Sequence, residues 1–259
     1  MNIITAIAAL VVKELFRRKD FYVVFVLTAL ITLVMGSVNF FNDAKIARYL
    51  KEIVLLLIWI ASLVIALATT ARQIPSEREN RTIFPLLAKP VTRSQVIFGK
   101  FLGSWIACGA ALAIFYIFFL IISGTREPHW QVGIGFQAFW LHWMMLGIVV
   151  AMTMFGSIIF AAPSSNTTIV FVLCAGILLI GRHLNKVAVQ MHEPLRSTIQ
   201  AVYFSVPHLE FFDVRDLLIH DWEPLGFGIM SMATLYAFAY MGAFLAAACW
   251  AFRRKPLNT

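Results

Sequence analysis

Histidine, cysteine and the carboxylates are the side chains that could carry metal or acid–base chemistry here, and their placement argues against both. His129, His142, His183, His192, His208 and His220 show no zinc-ligand spacing, and each lies outside an apolar run or at its outer end. They read as surface residues. A haem would need histidines well inside two helices. Cys108, Cys174 and Cys249 fall inside apolar runs at a spacing that fits no zinc or redox motif, and read as small buried apolar residues. No catalytic residue and no metal ligand is assigned. The runs themselves carry no Asp, Glu, Lys or Arg, so the ionisable groups expected of an ion-coupled transporter or a membrane-embedded enzyme are missing from them.

Charge instead gathers in short segments, and 72–100 is the one richest in local signals. Ser76-x-x-Glu79 has the pattern of a capping box, predicting a short helix. Thr92-x-x-Gln95 repeats it at the start of the next long helix, with Val91 and Val96 at the staple positions. Between them stand Arg81, Thr82, Leu86, Leu87, Lys89 and the turn residue Pro90, then Arg93 and Lys100. An ordered element bearing charges and exposed leucines predicts a docking surface, and a solvated loop whose charges only fix topology is the alternative.

The elements that position this segment are apolar. Charge is absent from 21–42, 53–71, 101–125, 128–181 and 224–252. A bilayer-spanning helix needs about 20 mostly apolar residues. Four runs supply one span each, and the 54-residue run supplies two, because Pro163-Ser164-Ser165-Asn166 breaks it. The expected spans are 21–38, 53–71, 101–123, 138–161, 167–181 and 227–251, with Ser165 or Asn166 capping the fifth. The fold class is therefore all-α, a six-helix polytopic membrane protein forming one domain over 1–259. With 61% hydrophobic residues in continuous runs, neither a soluble domain nor an alternating membrane barrel fits.

With the N-terminus inside, the segments on that side hold thirteen basic and four acidic residues, against eight and nine on the other. This predicts both termini and 72–100 on the cytoplasmic face. Anionic lipid then accounts for the net charge of +8, and no nucleic acid is needed as a partner. Trp130, Trp140, Trp143 and Trp222 are expected at the outer interface and Trp250 at the inner one. Residues 1–20 read as a helix lying on the inner leaflet, with a simple extension of the first span as the alternative, and the first span as a retained anchor rather than a cleaved signal. In the outer segment 182–226, Leu184, Val187, Met191, Leu195 and Ile199 predict an amphipathic helix bent at Pro194, and Phe204, Phe211 and Phe212 are candidates for an outer gate. Gly99, Gly103, Ala107 and Ala111 recur every four residues, which suits close helix packing, within the subunit or between subunits.

Residues 77–101, Glu-Arg-Glu-Asn-Arg-Thr-Ile-Phe-Pro-Leu-Leu-Ala-Lys-Pro-Val-Thr-Arg-Ser-Gln-Val-Ile-Phe-Gly-Lys-Phe, resemble the first cytoplasmic loop of permeases of ATP-binding-cassette (ABC) type-2 exporters. The shared features are an acidic residue near an Arg-Thr pair, Leu-Leu, a Pro-Val-Thr-Arg turn and Gly-Lys at the next helix. Phe84-Pro85 is a departure, where that family usually continues the helix. The resemblance extends to an N-terminal elbow helix ending in Arg-Arg-Lys, six spans and an outer segment with Pro207, Phe212 and Asp213. It implies a coupling helix holding Glu77, Glu79, Arg81 and Thr82, with Lys89, Pro90, Arg93 and Lys100 leading into the third span. It also implies two permease copies, identical or paralogous, meeting two ATPase subunits in a bacterial cytoplasmic membrane. ATP and Mg would be bound by the ATPase, since this chain has no G-x-x-x-x-G-K-[ST] and no cofactor of its own. The function expected is an exporter's permease subunit, with a hydrophobic or amphiphilic substrate. A non-transporting scaffold is the alternative, and a lipid-modifying enzyme a weaker one.

Overall fold

The computed structural model describes residues 3–17, 44–79, 91–124, 132–189 and 191–254, with isolated helical positions at 22, 26, 29, 30 and 33. Among these residues the regular elements are helical and no strand occurs. In chain order they are α1 (Ile3–Phe16), α2 (Ala44–Ala71), α3 (Pro75–Glu79), α4 (Arg93–Gly124), α5 (Val132–Ile159), α6 (Pro163–Val189), α7 (Leu195–Ser205), a 3-10 turn (Leu209–Phe212), α8 (Arg215–His220) and α9 (Phe227–Arg254). A helix satisfies its own backbone, so continuous apolar runs of this length fold this way in lipid.

Among the described residues four stretches are long and apolar enough to cross a membrane: Lys51–Glu79, Arg93–Gly124, Val132–Ile159 and Phe227–Arg254. They coincide with four of the six predicted spans. α6 contains a shorter apolar helix, Pro163–Leu179. The first predicted span lies outside the described residues apart from the isolated helical positions. The long helices alternate in direction. Ala71, Arg93, Ile159 and Arg254 mark one end of the bundle, the loop end. Lys51, Gln137 and Leu225 mark the other, which carries α8.

α5 is the axis of the bundle. Its most apolar window is 83% buried, whereas that of α9 is 28% buried and lies at the periphery. Two indoles lock α5 to α4. Trp105 Nε1 donates to the Trp143 carbonyl (3.0 Å), and Trp143 Nε1 donates to the Trp105 carbonyl (3.2 Å). The rings stack with centroids 4.8 Å apart. Glycines make room for both: a Cβ on Gly109 would stand 2.3 Å from Trp143 Nε1, and one on Gly147 2.9 Å from Trp105 Nε1. Trp143, expected at the outer interface, is thus drawn between helices by a partner that needs its N–H. Trp140 donates to Thr234 Oγ1 of α9 (3.0 Å). Trp222 and Trp250 are exposed at opposite ends, with the Arg254 guanidinium 4.0 Å above the Trp250 ring.

Like the buried His208, His142 corrects the surface reading of the histidines. It is buried between α2, α4 and α5, with Nε2 2.9 Å from Ser62 Oγ and Nδ1 3.3 Å from the Tyr116 hydroxyl. Ser62 spends its one proton on the Trp59 carbonyl (2.9 Å), so it accepts from His142 Nε2–H. Nδ1 must then accept from Tyr116, which fixes the neutral tautomer.

Asn166 does not cap α6. It lies in the first turn of that helix, fully buried, and donates Nδ2 to the Thr153 carbonyl (3.0 Å), closing the α5–α6 hairpin. Gly156 provides the space, since a Cβ there would meet Asn166 Oδ1 at 2.1 Å. Pro163 takes the first helical position, where its missing N–H costs nothing. The expected outer amphipathic helix is divided: α6 runs on to Val189, and α7 begins at Leu195 after Pro194.

α1 packs along the first half of α4, through the small-residue stripe. A Cβ on Gly99 would stand 2.8 Å from Ile7 Cβ, and one on Gly103 2.7 Å from Val11 Cβ and 2.8 Å from the Ala8 carbonyl. Ala107 joins Val11 and Leu15 in a small buried cluster, and Ala111 is buried one turn further on. Partners advance together along both chains, so α1 and α4 run in the same direction over these turns. The stripe therefore serves packing within the subunit.

Two outcomes follow. Gly103→Ala should lower stability by about 1–3 kcal/mol through overpacking, whereas Gly133→Ala, where a Cβ meets nothing within 4 Å, should not; equal thermal midpoints for the two variants in detergent would show that α1 does not press on α4. His142→Leu removes an acceptor from Tyr116 and a donor from Ser62, and should cost about 1–3 kcal/mol. A wild-type unfolding midpoint for that variant would mean that the network adds nothing to stability.

Candidate functional site

α2 ends in a turn, Arg72–Ile74, that leads directly into α3. Ile74 and Pro75 are buried, which pins this junction against the bundle. Ser76 lies inside α3 rather than at its cap, and its hydroxyl donates to the Arg72 carbonyl (2.6 Å). The predicted capping box with Glu79 is therefore not the device that orders the segment. Lys100 is. Its ammonium, 4% exposed, contacts Glu77 Oε1 (2.7 Å) and donates to the Gln73 carbonyl (3.0 Å) and to Gln73 Oε1 (3.2 Å). A charge this deeply buried needs several oxygen partners to offset its lost hydration, and the segment supplies them. Glu79, one turn end further, is exposed.

The second capping box forms as predicted. The Thr92 amide donates to Gln95 Oε1 (2.8 Å), and the Gln95 amide donates to Thr92 Oγ1 (3.3 Å). Arg93 then reaches the C-terminus of α9, donating to the carbonyls of Phe252 (2.7 Å) and Arg253 (3.2 Å), with its guanidinium 5.5 Å from the Phe252 ring centroid. A cation at the carbonyl end of a helix is favoured by the helix dipole. Arg81, Thr82, Leu86, Leu87, Lys89 and Pro90, together with Phe84-Pro85, lie outside the described residues. Both flanks of that stretch are fastened: one to α4 through Lys100, the other to α9 through Arg93.

At the opposite end Lys51 is buried and donates to the Leu218 carbonyl (3.2 Å) and to Asp221 (3.3 Å) at the C-terminus of α8. Asp221 takes a left-handed conformation (φ 54°), which ends α8 there. Arg215 makes a two-point contact with Asp213 (2.7 and 2.9 Å) and covers the Trp59 ring at 5.3 Å. The Asp213 hydrogen bonds hold the Arg215 guanidinium above its ordinary pKa. The three gate candidates part company here. Phe212 is buried against Tyr236, Phe211 is exposed and stacks on His208 (5.1 Å), and Phe204 is exposed on α7.

Sequence reasoning missed Gln73, His142, Asn166 and the Trp105–Trp143 pair. Each lies at the edge of, or inside, an apolar run, where a single polar side chain gives no spacing to read. The one available signal was a glycine four residues from each indole, Gly109 and Gly147. No group of three or more His, Cys, Asp or Glu suited to a metal occurs among the described residues.

A search of curated proteins finds no match to this chain. The sequence model of a family described as "ABC-2 family transporter protein" matches residues 3–257. That match spans nearly the whole helical bundle, its loop-end segment included, and the chain belongs to the ABC-2 family of membrane transport proteins.

Proposed function

We propose that this chain is the permease subunit of an ATP-driven exporter, coupled through 72–100 to a separate ATPase. Two permease copies and two ATPase subunits would form the complex in a bacterial cytoplasmic membrane, with six spans per copy, both termini inside and ATP and Mg on the ATPase. The observation that carries the reading is the double anchoring of the segment: Lys100 grips Glu77 and Gln73 on one side, and Arg93 grips the end of α9 on the other. A segment fastened at both flanks passes a push to α2, α4 and α9 instead of absorbing it. A solvated loop that only set topology would need no such fastening.

The two acidic residues differ in exposure, which supports different roles for them. Glu79 is exposed and available to a partner, whereas Glu77 turns inward to Lys100. In a pull-down of the tagged full chain from mildly solubilised membranes, an ATPase should co-purify. Glu79→Ala/Arg81→Ala should reduce its recovery about tenfold, the loss expected when charged hydrogen bonds are removed. An ATPase recovered equally with the variant moves the docking surface elsewhere, and no ATPase with either form favours the scaffold reading.

Lys100→Met should separate binding from transmission. ATPase recovery should fall by less than with Glu79→Ala/Arg81→Ala, while ATP-dependent efflux from proteoliposomes falls about tenfold. Efflux equal to wild type with this variant would show that the Lys100 cluster does not carry the motion.

A further inference from the structure

A pocket of about 230 Å³ opens between α6 and the segment that follows α7. Val172, Leu173, Gly176, Ile177 and Pro207 give it apolar walls, and Glu210 enters it from the 3-10 turn. Val172 and Leu173 are exposed on the outward face of α6, within its apolar part, so the mouth faces the surroundings of the bundle. The far end is polar. Glu210 Oε2 is buried and has no hydrogen-bond partner among the described residues. It packs over Gly181, where a Cβ would stand 2.7 Å from that oxygen. The neighbouring His208 makes no hydrogen bond to that oxygen, and its Nδ1 is engaged by the Tyr236 hydroxyl at 3.0 Å.

We propose that this pocket binds an amphiphile whose cationic amine head pairs with Glu210 and whose apolar chain lies along Val172, Leu173 and Ile177. Removing a carboxylate oxygen from water without a partner costs free energy, and a ligand ammonium offsets that cost. An anionic head would meet the carboxylate with like charge. A neutral chain alone would leave the oxygen unsatisfied. A bare metal ion would lack ligands, since no group of three or more His, Cys, Asp or Glu that could hold one occurs among the described residues. The small volume suits a head and the first part of a chain, with the remainder leaving by the apolar mouth. The site needs only a bundle placed in a membrane, and its test needs no ATPase, so it stands or falls apart from the coupling loop.

The test uses a diazirine-bearing dodecylamine, irradiated with the full chain in phosphatidylcholine nanodiscs, with labelled peptides mapped by mass spectrometry. Label is expected on 172–177 and 203–210. The matching alcohol should label these peptides about tenfold less, as expected when a charged hydrogen bond is lost. Glu210→Gln should bring the amine down to the level of the alcohol. Gly176→Leu, which has open space for its side chain, should block both probes. Suppression by phosphatidylethanolamine would identify a lipid headgroup as the occupant, and persistence of the label a free amphiphilic amine. Equal labelling by amine and alcohol in the wild-type chain overturns the proposal without relying on any variant. Label outside the pocket, or label unchanged in Gly176→Leu, overturns it as well.

Discussion

The bundle is organised by the reciprocal hydrogen bonds of Trp105 and Trp143. Lipid offers an apolar helix no hydrophobic reason to choose one neighbour over another, so direct packing and polar contacts must decide. Here each indole N–H finds the other's backbone carbonyl, and Gly109 and Gly147 let the rings lie between α4 and α5. With α4 held to α5, Tyr116 comes within reach of His142, and His142 within reach of Ser62 on α2. α9 then closes on α5 through Trp140 and Thr234, and through Gln137, whose side chain exchanges two hydrogen bonds with the backbone of Leu225. The order of helices around α5 follows from where these few polar atoms must meet.

The same economy governs the ends. Lys51 at one end and Lys100 at the other are both buried amines with carbonyl and carboxylate partners. Each ties a short helix to a long one. Charges in these positions set geometry more than they add stability, because desolvation cancels much of their attraction. Arg93 adds a third tie, from the start of α4 to the last carbonyls of α9.

The features legible in the sequence were those written as runs or spacings. The charge-free stretches marked four long helices, three of which begin six to nine residues earlier than expected, and Thr92 with Gln95 announced their own capping box. The stripe from Gly99 to Ala111 signalled close packing, but not that α1 would be the neighbour. What escaped was decided by tertiary contact. Asn166 looked like a cap because Asn favours that role, yet its Nδ2 turns inward to the Thr153 carbonyl. His142 looked peripheral because it stands in the first half of its run, but at about 1.5 Å per residue it is already well inside α5. The sequence placed Glu77, Glu79 and Lys100 in one charged segment, but did not show that Lys100 would pair with Glu77 and leave Glu79 exposed.

α2 is grasped at both extremities. Its last turn runs into the Gln73–Glu77 clasp on α4, and Lys51 near its start holds the C-terminus of α8. Its 28 residues span about 42 Å as one uninterrupted helix. A helix is stiff along its axis, so a thrust at one extremity arrives at the other with little lost to compression. Under the proposed coupling α2 would act as a push-rod, and α8, with the Asp213–Arg215 pair beside it, would be the part that yields.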